Sequence, residues 1–154
     1  MNPLSYSGGY KYQIRKNHHF QTNIRGFEAN TQFIKLSKEG LLSVLNGYAC
    51  DGPSGPTIDT PIFLYAAFIH DALYQLIRMD HLPFSFWRNA DYELKRAVAL
   101  KLNDMRDHTS WGRKIKSQSH EVLWQARLLW IMKGLAIVKG AAAKPSSRKK
   151  INII

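Results

Sequence analysis

His70 and Asp71 stand side by side in an apolar stretch that continues to Tyr74, with Asp51 upstream and Asp91 downstream. An imidazole with one nitrogen bonded to a carboxylate holds a fixed tautomer, and its other nitrogen can take a proton from water. A second carboxylate, beside a loop rich in carbonyl oxygens, supplies the hard donors that calcium prefers. The same segment reverses the charge of the chain. Between Asp51 and Glu93 lie six carboxylates (Asp51, Asp59, Asp71, Asp80, Asp91, Glu93) against two bases, Arg78 and Arg88. The remainder holds five acids against twenty Lys or Arg. Six acids less two bases leave −4 inside a chain of net +11, which marks a cation site or carboxylates kept for chemistry.

The elements that must position these groups follow from local patterns. Residues 10–15 alternate in period two, and 33–37 do so in part, which predicts strands. Lys38-Glu39-Gly40 predicts a turn into a second strand over 41–48, a β-hairpin. Residues 51–61 carry three prolines and two glycines and form a structured loop. There Gly52 and Gly55 permit close backbone approach, while Pro53 and Pro56 stiffen the chain.

Thr60-Pro61 predicts an N-cap followed by proline in the first helical position. The apolar run 62–77 is too long for a strand and predicts a largely buried helix. Residues 79–85 connect it to a second helix, capped by Ser85 and running to about Leu102. A connection this short makes the two helices antiparallel neighbours and can set Asp91 level with His70. His70 and Tyr74, four apart, share one helical face. Asp71, rotated by about 100°, is free to address the 51–56 loop.

The helix is expected to break around 107–112 and a third to span 118–142. Glu121, Arg127, Lys133 and Lys139 fall on several sides of that third helix, so a core or partner-packing role fits better than a membrane one. The expected organisation is one α+β domain over 1–144, with N-terminal β-hairpins and a mainly helical body, and a basic tail over 145–154.

These residues resemble the phospholipase A2 type of site: H-D-x-x-Y after a glycine-bearing loop, with a further Asp on the next helix. The resemblance implies that His70 activates water, that Tyr74 and Asp91 support it, and that Asp71 binds calcium with Asp51 and Gly52. It implies a phospholipase A2-like core around the antiparallel pair. The D-G-P-S-G-P-T-I-D-T and H-D-A-L-Y-Q text is more closely similar to an uncharacterised domain family found in phages and prophages, over roughly residues 30–105. The chain departs from secreted phospholipases in lacking their disulfide framework and their cysteine- and glycine-rich loop. Pro53 and Pro56 also cannot donate N–H groups to an oxyanion.

Composition narrows the alternatives. A content of 45% apolar residues and four tryptophans argues for a packed core. Cys50 is the only cysteine, so no intrachain disulfide forms, which fits a reducing compartment or a particle assembled in one. No apolar run suits a signal peptide or a spanning helix, so the host cytoplasm or a virion is the expected location. The basic charge favours acidic or phosphate-bearing surfaces: lipid headgroups, phage structural proteins, or nucleic acid, although no nucleic-acid motif is present.

Each sharp reading has a plainer one. His70-Asp71 can be a satisfied structural pair, Asp59 and Thr60 caps, and Asp80 and Glu93 solvated charges. Cys50 with His70 could form a thiol–imidazole dyad, although a lone Cys beside a strand is more often core. His18 and His19, adjacent on a strand, point to opposite faces and suit a metal poorly. Two functions therefore stand: a calcium-assisted ester hydrolase, or a non-enzymatic tail or capsid accessory protein that docks through its basic surface.

Overall fold

The computed structural model describes residues 6–7, 12–50 and 61–108 (backbone only for 6–7 and 105–108), together with Leu129 and Lys133. Over residues 6–108, as far as they are described, seven short strands precede two helices: β1 Tyr6–Ser7, β2 Tyr12–Ile14, β3 His18–Gln21, β4 Ala29–Asn30, β5 Ile34–Leu36, β6 Leu41–Val44 and β7 Ala49–Cys50, then α1 Pro61–Arg78 and α2 Trp87–His108. All strand pairings are antiparallel, in a three-stranded sheet β1-β2-β7 and a four-stranded sheet β3-β6-β5-β4. The fold is α+β, strands first.

The expected hairpin is β5–β6. Its register pairs Leu36 with Leu42 and Ile34 with Val44, all four buried. The strand predicted over 41–48 is in fact divided. Gly47, at φ +92°, turns the chain after β6, and the Tyr48 amide bonds back to the Leu45 carbonyl. The backbone then crosses to the other sheet, where β7 pairs with β2. Period-two patterning cannot reveal which sheet a strand joins.

Helix α1 starts at Pro61, as proline in a first turn predicts. Fourteen of its eighteen residues are buried. Only Asp71, Gln75 and Arg78 form a partly open stripe toward its C-terminal end, at i, i+4 and i+7. The helix ends in a Schellman-type cap: the His81 amide reaches the Leu76 carbonyl and the Asp80 amide that of Ile77, with Asp80 at φ +60°. Asp80, expected simply in solvent, is exposed but also serves as this left-handed cap residue.

The second helix begins through a 3₁₀ turn, Phe84–Phe86, whose N-cap is Pro83. Ser85 lies inside that turn rather than capping α2, and α2 continues to His108, beyond the expected Leu102. Contacts fix the helices as antiparallel. Tyr74 and His70 meet Asp91, while Tyr65, further back on α1, lies under the Lys101 ammonium at 5.9 Å. Ala90, Leu94, Ala97 and Val98 of α2 join the same core. Of the predicted third helix, only Leu129 and Lys133 are among the described residues; both are helical and exposed. The rest of it and the basic tail lie outside them.

The β5–β6 turn is where a glycine is indispensable. Gly40 has φ +80°, and its carbonyl accepts from both the amide and the hydroxyl of Thr22, at 2.9 and 2.8 Å. A Cβ there would collide with the Ile24 carbonyl. Gly40→Ala should therefore destabilise the fold by at least about 2 kcal/mol, combining left-handed backbone strain with the clash, as measured by urea unfolding.

Candidate functional site

The site is built where two helices bring polar groups into an apolar interior. His70 and Tyr74 lie one turn apart on α1, their rings 4.1 Å apart between centroids. Asp91 comes from the second turn of α2. Its Oδ1 accepts from the Tyr74 hydroxyl at 2.7 Å and pairs with His70 Nε2 at 2.9 Å. A carboxylate only accepts, so Nε2 carries the proton and, in the neutral ring, Nδ1 carries the lone pair. His70 is 7% exposed and Asp91 5%.

Asp71 stands on the other side of the ring. Its Oδ1 is 3.6 Å from His70 Nδ1, an electrostatic contact too long for a hydrogen bond. Its side chain is partly open to solvent. Nδ1 thus faces negative charge.

Electrostatics follow from this arrangement. Burial penalises the imidazolium, but the carboxylates of Asp71 and Asp91 outweigh that penalty and hold the His70 pKa above its ordinary 6.5. Burial and the Asp91 bond push the Tyr74 phenol far up, so it stays a donor. Tyr48, buried against Phe68, is likewise raised by burial and by the charges of Asp71 and Cys50, while Arg78 pulls the other way. Tyr48 therefore belongs to the electrostatic surroundings of Asp71, and Arg78 to those of Tyr48 and Tyr74. Sequence spacing held a signal for Arg78, which lies seven residues from Asp71 and four from Tyr74, but none for Tyr48.

Of the predicted residues, the fold brings His70, Asp71, Tyr74 and Asp91 together. Asp51, Gly52, Asp59 and Thr60 lie outside the described residues. Among the described residues, no group of three or more His, Cys, Asp or Glu side chains could hold a metal ion. Asp71 is the one predicted ligand there, and its carboxylate is of the right hard-oxygen type. Cys50 is half-buried on β7, in register with Tyr12, while the His70 nitrogens address carboxylates.

Glu93 is a correction. Expected in solvent, it is 1% exposed. Its Oε1 accepts the Asn23 amide at 2.7 Å and its Oε2 the Arg96 Nε at 2.8 Å. His18 and His19 do face opposite ways. His19 Nδ1 is 2.8 Å from Ser43 Oγ, whereas His18 Nε2 is shut from solvent and has no hydrogen-bond partner among the described residues. Burial, helped by nearby His19 and Lys101, holds the His18 pKa below its ordinary 6.5.

No family model, curated protein or solved structure matches the chain. Among the described residues no helix is long and apolar enough to cross a membrane.

His70 and His18 each carry a testable consequence. Tyr74→Phe should cost about 1–2 kcal/mol by leaving Asp91 short of a donor, and should raise the His70 titration midpoint in NMR. The two histidines should also have opposite effects on stability. The raised His70 pKa gives a contribution fully present below pH 6.5 and lost as pH rises through the folded value. The lowered His18 pKa gives one present above pH 6.5 and lost as pH falls through the folded value. Unfolding free energies measured across pH should lose their alkaline slope in His70→Gln and part of their acid slope in His18→Gln.

Proposed function

We propose that the chain is a phage- or prophage-encoded hydrolase of an ester bond in which His70 is the general base. The observation that carries this reading is the imidazole gripped at Nε2 by Asp91, with Nδ1 turned toward the half-open Asp71 carboxylate at 3.6 Å. The resemblance of H-D-A-L-Y-Q and the upstream loop to the phospholipase A2 type of site, and to a phage and prophage domain family, supports it.

The chemistry uses the chain's own groups. A water held at Nδ1 passes a proton to it as its oxygen bonds to the ester carbonyl carbon. Asp71 and Asp91 flank the imidazolium so formed. When the tetrahedral adduct collapses, the ester C–O bond breaks and the leaving alkoxide takes the proton back from Nδ1. Asp91 and Tyr74 hold the ring in place throughout. Asp71, with Asp51 and the Gly52 backbone, would hold a calcium ion, which when bound polarises the carbonyl oxygen.

A second reading is favoured by the depth of the pair: His70 and Asp91 are both under a tenth exposed. On that reading the network only satisfies polar groups in the core, and the protein is a virion component. It would dock on phage structural proteins, a lipid or acidic surface, or nucleic acid through its twenty Lys and Arg outside the acidic segment.

Turnover of a chromogenic ester and of phospholipid vesicles, with calcium and with a chelator, separates the two. Hydrolysis should rise as pH climbs through the raised His70 value, fall with the chelator, and drop by about 10²-fold or more in His70→Ala. Hydrolysis untouched by His70→Ala would overturn the catalytic reading. No hydrolysis, with the protein copurifying with particles, would establish the second.

A further inference from the structure

Asp91 and Glu93 are two residues apart on α2, about 200° around the helix. They therefore face opposite ways, Asp91 toward α1 and Glu93 toward the end of β3. A carboxylate this deeply buried is costly unless its oxygens are satisfied. Both are: one by the Asn23 backbone amide, the other by Arg96. Arg96 in turn lies over the Phe20 ring at 4.8 Å and donates to the Gln21 carbonyl. Two α2 side chains thus grip three successive points around the end of β3: the Phe20 ring, the Gln21 carbonyl and the Asn23 amide.

The apolar side of α2 packs Leu94 and Val98 beside the small Ala90 and Ala97. Hydrogen bonds add a directional constraint that such contacts lack. Side-chain tips lie roughly 5–6 Å from a helix axis, so a 20° rotation would carry the Asp91 carboxylate about 2 Å. That is enough to break its 2.9 Å contact with His70.

We propose that Glu93, locked by Arg96 and the Asn23 amide, is a positioning residue that fixes the rotation of α2 and so holds Asp91 against His70. The orientation of the imidazole is then governed from β3, on the far side of α2. This takes His70–Asp91 as the working pair of the function proposed above, but it concerns the geometry of that pair and can be tested without any substrate.

The test is NMR titration of the His70 ring in the full chain, with circular dichroism to confirm folding. In Glu93→Ala the His70 midpoint should fall by about one pH unit, because Asp91 withdraws while burial remains. Glu93→Gln keeps an acceptor for the Asn23 amide and should fall less. Arg96→Met keeps the contact with Phe20, loses the ion pair, and should move in the same direction. Leu94→Ala, which trims the core on the same helix, should lower stability yet leave the midpoint in place. If Glu93→Ala does not fold, the two milder variants carry the test. An unchanged midpoint in the folded Glu93 and Arg96 variants, or an equal shift in Leu94→Ala, would overturn the proposal. A shifted midpoint in a protein that hydrolyses no ester would uphold the positioning role and overturn only the hydrolase reading.

Discussion

The rest of the structure depends on one constraint: α1 has almost no solvent face. Its apolar residues are packed by the four-stranded sheet on one side and α2 on the other. Polar groups placed on such a helix cannot turn to water, so each needs a partner from a neighbouring element. His70 and Tyr74 converge on the same oxygen of Asp91 for that reason. Asp71 differs because it sits on the narrow stripe left open, its side chain partly exposed beside the ring.

Burial and charge act against each other at this pair. The apolar surroundings alone would favour a neutral imidazole, yet two carboxylates favour the charged form and prevail. The result is a ring that accepts a proton readily and whose orientation is fixed at Nε2 by Asp91. A general base needs that combination, and so does a buried polar network. The same observation therefore supports the hydrolase reading and gives the structural reading its force, and the chemistry at Nδ1 distinguishes them.

The helix pair and the level placement of His70 and Asp91 were legible because both rest on local signals. Pro61 marked the start of α1, the length of the apolar run marked a helix, and a short connection left only an antiparallel return. The hairpin was legible for a similar reason, through alternation on either side of Gly40. Glu93 was not, because its burial depends on a backbone amide seventy residues away. Nor was the split at Gly47, since strands in either sheet show the same alternation. Ser85 had the chemistry of a cap, but the backbone tightened into a 3₁₀ turn behind Pro83 and left it inside.

The near-complete burial of α1 also has a consequence for how the chain acquires its structure. A helix apolar on nearly every side gains little from forming alone, and while unpartnered it would present a sticky cylinder to any other chain. During synthesis the sheet emerges first and covers one side of it. The other side stays bare until α2 follows, so the segment between Pro61 and Trp87 is the interval in which the nascent protein is most exposed to aggregation. The polar grip of α2 on the end of β3 then does more than tune a histidine: it draws α2 into register over a surface that was ready before its partner.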